Sequence, residues 1–348
     1  GLTRLDTVQI SKASATQRAG RAGRLKEGQC FRLWSESVHQ GLKSFQPEEI
    51  TIAELTNLAL ELSAWGVTRF EDANWLTAPP KYHFSVACEL NKALGLVDAE
   101  NKITKRGEQA LALGVEPRLA SMLLRADTDK EKQLATILAA LLSERDILVQ
   151  AHGSDLTDRV LAITDYLRDR KRNTDHLKLN KRVTEQVITL AKGFARKINV
   201  SFAIDALDLQ TVQQLIGSML FIAYPDRLAK RRSENDTRYL LANGRGVSLK
   251  SDDSVIGEHW LIVCDCDGKN RDGLVYSCVP FVYPALMASI ADKSHESIQY
   301  RLDDKKEAII GRRVLQYQAI IIKEEKAEAI TPDEFASCVR DVVRSEGL

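Results

Sequence analysis

The apolar residues of this chain change their period once, near residue 225. From Pro117 to about Pro225 they recur three or four apart. Leu134, Ile137, Leu138, Leu141 and Leu142 make one helical stripe, and Leu156, Val160, Ile163 and Leu167 a second, with Ser154 or Asp155 as its cap. Val183, Val187, Leu190 and Phe194 make a third; Leu209, Val212, Leu215, Ile216, Met219 and Leu220 make a fourth, capped by Asp208. Stripes of this width belong to a packed helical bundle. From Thr237 to about Ile322 the apolar runs are short and bounded by Asn, Asp and Gly. Asn243-Gly244 between two such runs marks a hairpin, and Trp260–Cys266 and Leu274–Phe281 read as further strands. About five short strands predict a small antiparallel barrel. Helices and strands segregated in this way predict a multidomain α+β chain, and 348 residues leave room for several domains.

The first 34 residues follow neither pattern. Leu5–Ile10 and Cys30–Trp34 read as strands on either side of a short Ala-rich helix, which is a fragment of an α/β layer. So short a piece buries no core of its own, so the chain reads as part of something larger. After Pro47 the pattern turns helical. Ile52, Leu55, Leu58, Leu62 and Trp65 form a stripe, Thr51 with Glu54 suits a capping box, and Gly66 a stop. Past Pro79-Pro80 a second helix points Val86, Leu90 and Leu94 inward and ends at Gly95, and 96–104 reads as a small hairpin. Helix, helix, hairpin is compatible with a winged helix. Glu324–Glu328 and Pro332–Ser345 read as a polar link and a final helix.

Composition removes several function classes. No run of about 18 apolar residues is present, so no membrane-spanning helix is expected, and no signal peptide opens the chain. The 49 Lys and Arg balance 48 Asp and Glu, so only local charge can select an acidic partner. Six cysteines (Cys30, Cys88, Cys264, Cys266, Cys278 and Cys338) are scattered too widely for a disulfide framework and predict a reducing, cytoplasmic setting. Cys264-Asp265-Cys266 with Cys278 lacks zinc-site spacing, the six histidines are isolated, and no metal site is expected.

The densest chemistry lies in Gln17-Arg18-Ala19-Gly20-Arg21-Ala22-Gly23-Arg24. Residues 1–36 carry seven basic and three acidic side chains. Arginines three apart fall near one helical face, glycines permit close approach, and planar guanidinium groups offer phosphate two parallel donors. A solvated basic turn is the plain reading of such a run, but the regular spacing points to phosphate.

That octamer, with its lead-in Ile10–Ala15, resembles motif VI of the superfamily 2 helicases in the DEAH-box form. Leu55–Gly66, Trp75–Pro80, Ala87–Val97 and Ile103–Gly107 resemble the winged helix that follows it there, and Pro117-Arg118-Leu119-Ala120 the entry to the helical ratchet. Ser143–Asp146, Ala223–Arg231, Tyr239–Gly246 and Arg312–Tyr317 resemble the HrpB type more narrowly. The resemblance implies the end of a second RecA-like domain with motif VI over 1–46, a winged helix over 47–116, a ratchet-like helical bundle over 117–225, an OB-like β-barrel over 226–322, and a linker and helix over 323–348. Residues before Leu5 would then belong to the hairpin that separates strands. It implies an ATP-dependent helicase of single-stranded nucleic acid, RNA above all, using ATP and Mg2+. Gln17, Gly20, Arg21 and Arg24 would face the nucleotide, with Gln17 ordering the γ-phosphate or attacking water and Arg21 and Arg24 as arginine fingers. Arg18 is left with two equal readings, a salt bridge or a ligand contact. The 348 residues hold no G-x-x-x-x-G-K-[ST] and no Asp-Glu-x-His. A partner RecA-like domain is therefore implied, and the chain alone is expected to be inactive and to hold no ATP or Mg2+ stably.

Two other basic stretches suit a nucleic-acid channel. Residues 224–250 hold seven basic and three acidic side chains, among them Arg227, Lys230, Arg231, Arg232 and Arg245; residues 155–182 hold eight and five, including Arg168, Arg170, Lys171 and Arg172. Arg227, Lys230, Arg231 and Arg245 are the candidate nucleic-acid contacts, with Tyr224 and Tyr239 as stacking platforms or buried tyrosines. The rival reading is a non-catalytic nucleic-acid-binding or partner-docking module on a helicase-derived shell.

Overall fold

The structure, a computed structural model, describes residues 9–149, 153–168, 178–202, 207–234, 236–268, 272–303 and 308–326, together with Ala336 and Arg340. Most of the expected strand Leu5–Ile10, nearly all of the expected helix Pro332–Ser345, Cys338 and the basic run Arg170-Lys171-Arg172 lie outside these residues. The chain divides into two compact units, residues 1–92 with 97–104, and residues 93–96 with 105–348. The boundary at residue 104 falls inside the stretch 47–116 expected as one domain.

In the first unit α1 spans Lys12–Gly20, α2 Glu36–Gly41, α3 Thr56–Ala64 and α4 Lys81–Ala93. Leu55, Ala59 and Leu62 pack on Phe84, Ala87 and Cys88 of α4. Phe70, Trp75 and Phe84 close that core with ring centroids 5.5–5.9 Å apart, and the Trp75 indole N–H donates to the Phe70 carbonyl at 3.0 Å. The 96–104 hairpin is reduced to one bridge, Val97 with Ile103, turned by Asn101 at φ 62°.

Four expectations change here. Cys30–Leu33 is exposed, Trp34 is half-buried, and the segment is not a strand; a strand needs a ladder partner, and no described residue supplies one. Thr51 does not cap α3. Its hydroxyl donates to the Glu48 carbonyl at 2.7 Å inside a 3-10 turn over Glu49–Thr51, and α3 starts five residues later. Glu54 instead accepts from the backbone N–H of Thr56. Ile52 therefore falls outside the helix and is 70% exposed, and Trp65, at the helix end, is 78% exposed. Val86 is also exposed, because the buried face of α4 runs through Phe84, Ala87, Cys88 and Asn91.

In the second unit α5 spans Lys105–Leu113, α6 Pro117–Arg125, α7 Asp129–Ser143, α8 Leu156–Arg168, α9 Lys181–Lys197 and α10 Leu209–Ala223. α10 packs against α6, α7 and α8, and α7 against α9. The caps follow local chemistry: Thr128 with Glu131 forms a capping box on α7, Asn180 accepts from Val183 N–H, and Asp208 accepts from Thr211 N–H at 2.8 Å. At the start of α8 the Asp155 carboxylate accepts from Thr157 N–H at 2.8 Å. Leu209 is half-exposed, the one member of its stripe that points out.

Five strands follow: β1 (Leu228–Arg231), β2 (Arg238–Leu241), β3 (Gly246–Ser248), β4 (Trp260–Cys266) and β5 (Asp272–Pro280). They close a barrel in the order β1-β2-β3-β5-β4 around Ala229, Tyr239, Leu241, Val247, Leu261, Val263, Val275 and Cys278. The Asn243-Gly244 hairpin is present, with Gly244 at φ +82°. The barrel is not wholly antiparallel, since β3 and β5 pair in parallel. It is also complete by Pro280. After α11 (Tyr283–Ile290), a separate antiparallel sheet forms from β6 (His295–Asp303), β7 (Ala308–Tyr317) and β8 (Ile320–Lys326). The expected barrel over 226–322 is therefore two sheets, and residues 323–326, expected as linker, continue β8. The alternation of Ile320 and Ile322 buried with charges beyond them is what pairs that segment.

Candidate phosphate-binding site

The arginine octamer straddles a helix end. Ser11 caps α1, its hydroxyl accepting from Ser14 N–H at 3.1 Å, and Ser11 is buried. Two further N–H groups of the first turn, Lys12 and Ala13, donate to the Lys43 and Ser44 carbonyls at 2.9 and 3.0 Å. With Ala15 buried beneath it, α1 is held at its N-terminal end and presents its C-terminal end to solvent. Gln17 and Arg18 lie on the last turns, Gly20 ends the helix, Arg21 is its C-cap, and Arg24 follows in the next bend. All five are exposed, and no side-chain hydrogen bond or ion pair holds Gln17, Arg18, Arg21 or Arg24 among the described residues. The salt-bridge reading of Arg18 thus has no partner among them. Four polar or cationic side chains within eight positions are left to face an incoming acceptor.

Sequence reasoning missed Gly28. A β-carbon there would stand 2.0 Å from the Ala22 carbonyl oxygen, so the chain beyond Arg24 folds back against the middle of the octamer at a distance only glycine permits. The signal was available as a lone glycine just past the arginines.

The 224–250 stretch resolves into unlike roles. The Arg227 guanidinium donates to the Cys264 carbonyl at 2.6 Å, and the Lys230 ammonium donates to the Ile321 carbonyl at 2.7 Å while lying 5.5 Å from the Trp260 ring centroid. Burial lowers the Lys230 pKa, partly offset by Glu324. Arg227 thus ties the turn before β1 to β4 within the barrel, and Lys230 ties the barrel to the β6-β7-β8 sheet. Arg231 is half-buried, with its Nε enclosed and without a hydrogen-bond partner among the described residues. Arg232 and Arg238 pair with Asp272 and Asp236 at 2.9 and 2.8 Å. Arg245 is exposed just past the Asn243-Gly244 turn, and no described residue pairs with it. Neither tyrosine is a stacking platform: Tyr224 and Tyr239 are both buried. Burial raises the Tyr239 phenol to about 12, and its hydroxyl donates to the Glu258 carbonyl at 2.8 Å.

Among the described residues no three His, Cys, Asp or Glu side chains are grouped to hold a metal ion. The cysteines at 30, 88, 264, 266 and 278 are free, and burial pushes the Cys278 thiol up. No helix among the described residues is long and apolar enough to cross a membrane.

No family model matches the chain. It is 28% identical over 350 residues to the ATP-dependent RNA helicase HrpB of Escherichia coli, covering 100% of this chain and 39% of that protein. A probable ATP-dependent RNA helicase of Saccharomyces cerevisiae, DHR2, is 40% identical over 126 residues, covering 36% of this chain and 17% of its own length. Among solved structures, the crystal structure of the E. coli DExH-box NTPase HrpB matches with a TM-score of 0.74 at 28% identity, over 100% of this chain and 40% of that one. The chain thus spans about two-fifths of the length of the relative it matches throughout. A mixed α+β chain with a closed five-stranded barrel, it resembles from end to end the C-terminal region of the HrpB type of DEAH-box helicase.

Proposed function

We propose that this chain is the C-terminal portion of an ATP-dependent RNA helicase of the HrpB type, and that it supplies the arginine side of an ATP site. The observation that carries the reading is the exposed set Gln17, Arg18, Arg21 and Arg24 at one helix end, unpaired among the described residues, in a chain similar to HrpB along its whole length. Charge on the γ-phosphoryl oxygens grows during transfer, and guanidinium groups aimed there lower the barrier. Arg21 and Arg24 are the fingers, Gln17 orders the γ-phosphate or the water, and Gly20 leaves room for the nucleotide. The phosphate loop and the magnesium carboxylates come from a second RecA-like domain outside these residues. Residues 1–46 end the companion RecA-like domain, the helices after Pro47 and the 96–104 hairpin form a winged helix, α6–α10 form the ratchet, and β1–β5 an OB-like barrel. The ratchet and barrel line the path of a single RNA strand, with Arg245 as its exposed contact. The free thiols suit the cytoplasmic setting expected from cysteine usage.

The test compares the 348 residues alone with a protein joining them to a P-loop-bearing RecA-like domain. ATP hydrolysis in the joined protein and none in the isolated chain is expected. Hydrolysis that co-purifies with the isolated chain would overturn the division of the site.

A further inference from the structure

Of the helices in the second unit, α9 carries the most one-sided charge. Its 17 residues hold five basic side chains, Lys181, Arg182, Lys192, Arg196 and Lys197, and one acidic, Glu185. Thr184, Val187, Ile188, Ala191 and Phe194 are buried, and the helix packs against α7. Steps of four and three place Arg182, Gln186, Thr189, Gly193 and Arg196 in one row on the opposite face. All of these but Gly193 are exposed, and so is Lys192 beside them. At the helical rise per residue, the row from Arg182 to Arg196 is about 21 Å long.

Two of the charges are engaged away from this row. The Glu185 carboxylate accepts from the Tyr166 hydroxyl of α8 at 2.8 Å, and the Lys197 ammonium donates to the Leu113 carbonyl at 2.6 Å. Lys181, Arg182 and Lys192 make no side-chain hydrogen bond or ion pair among the described residues. Arg196 makes one long bond within the helix, from Nε to the Lys192 carbonyl at 3.4 Å, and its terminal nitrogens are open among the described residues. Gly193 is an independent sign. A β-carbon there would meet nothing within 4 Å, so packing does not require glycine, and glycine inside a helix weakens it. A missing side chain in the middle of a basic row does let an anionic backbone lie close against the helix. The row holds no aromatic side chain, since Phe194 of α9 is buried. Single strands are held on aromatic stacking platforms, whereas duplex RNA is held by its shape and its phosphates.

We propose that the exposed row of α9 binds the phosphate backbone of double-stranded RNA, on residues other than those of the 224–250 stretch. The anionic partner stands on α9 alone; that this partner is RNA rests on the helicase reading above.

The test uses the full 348-residue chain. A labelled RNA hairpin with a long duplex stem and a labelled single-stranded RNA are each titrated by anisotropy at several salt concentrations. The proteins are wild type, Arg182→Gln/Lys192→Gln/Arg196→Gln, Gly193→Gln and Arg245→Gln. The three replaced cations are exposed and glutamine suits a helix, so the triple variant retains the fold, which far-UV circular dichroism checks. Its affinity for the hairpin should fall at least tenfold, with a log-affinity against log-salt slope shallower by about 2 to 3, while single-strand affinity stays within about twofold. Gly193→Gln should hold or raise Tm, because the site is open and the helix gains propensity, yet weaken hairpin binding. A purely structural glycine would not part those two readouts. Unchanged hairpin affinity in the triple variant overturns the proposal. Equal losses on hairpin and single strand overturn the duplex assignment. Wild type that binds the single strand and not the hairpin overturns this site and leaves the Arg245 reading standing; single-strand loss confined to Arg245→Gln, with hairpin loss confined to the α9 variants, supports both, so the two fail separately.

Discussion

Arg118 and Asp226 are 108 residues apart and meet as a bidentate pair, with the two guanidinium nitrogens 2.7 and 3.0 Å from the two carboxylate oxygens. Arg118 also donates to the Ala223 carbonyl at 3.0 Å, and the Tyr224 ring lies 5.1 Å from the Arg118 guanidinium and 5.2 Å from that of Arg227. The Asn243 N–H donates to the Asp226 carbonyl, and the Tyr317 hydroxyl to the Pro225 carbonyl at 2.9 Å. One corner thereby joins α6, the end of α10, the barrel hairpin and β7. Three of the sequence blocks that resemble the HrpB type meet there with the block that resembles the entry to the helical ratchet.

Breaking that corner should cost stability. Asp226→Asn leaves the buried Arg118 guanidinium without its charge partner, and removing one member of a buried pair costs about 3–5 kcal/mol. Urea unfolding of the second unit's transition should show a loss near the lower end of that range, because the Asp226 carboxylate is 25% exposed. An unchanged midpoint would mean the corner is held by packing alone.

Acid should act through the same carboxylate. Burial pushes Asp226 up, but the charge and hydrogen bonds of Arg118 and the charge of Arg227 outweigh it and hold the group below its ordinary 3.8. A carboxylate depressed in the folded state contributes stability that is full above its unfolded value and disappears as pH falls through the folded one. Wild-type stability should therefore fall below about pH 4. Asp226→Asn should show a flatter dependence over that window in unfolding curves taken from pH 6 to 2.

What was legible in the sequence was local. Asp208 announced the start of α10, Asn243-Gly244 announced the β2–β3 hairpin, and four helical stripes announced the bundle. What was not legible depends on partners far along the chain. The parallel pairing of β3 with β5 and the separate sheet β6-β7-β8 are set by register between distant strands. Arg227 and Lys230 looked like free cations because the carbonyls they serve, at Cys264 and Ile321, are 37 and 91 residues away. Thr51 offered a good capping box, yet the preceding turn had already engaged its hydroxyl. The arginine octamer was legible as a candidate phosphate site, whereas the glycine that folds the loop back on it was not singled out.

Lys230 and Arg245 should separate structure from binding. Lys230→Gln loses the charge-assisted bond to the Ile321 carbonyl and should lower stability by about 1–2 kcal/mol. Arg245→Gln should leave thermal unfolding within about 0.5 kcal/mol of wild type, as for surface substitutions generally, while weakening single-stranded RNA binding. Equal melting shifts in the two variants would contradict the division of roles.

The loop that carries Arg21 and Arg24 should depend on Gly28. Gly28→Ala forces a β-carbon into the Ala22 carbonyl, so amide hydrogen exchange over residues 21–28 should accelerate while the core amides of α4 stay protected. Ser11→Ala, which removes the α1 cap, should cost about 1 kcal/mol and speed exchange in the first turn of that helix. Unchanged exchange at residues 21–28 in Gly28→Ala would show that the loop is not held there.

The central claim is that Arg24 meets the γ-phosphoryl group in the transition state, and the most direct measurement is kcat and KM for ATP of Arg24→Lys in the protein that joins this chain to its P-loop-bearing domain. Lysine keeps the charge but loses the planar two-donor fork. A side chain that acts in the transition state lowers kcat when replaced, whereas one that merely binds raises KM. The account predicts a kcat reduced by at least about 100-fold, with KM changed far less and thermal stability unchanged, since no described residue pairs with Arg24. A kcat near wild type in folded protein would contradict it and remove Arg24 from the catalytic set.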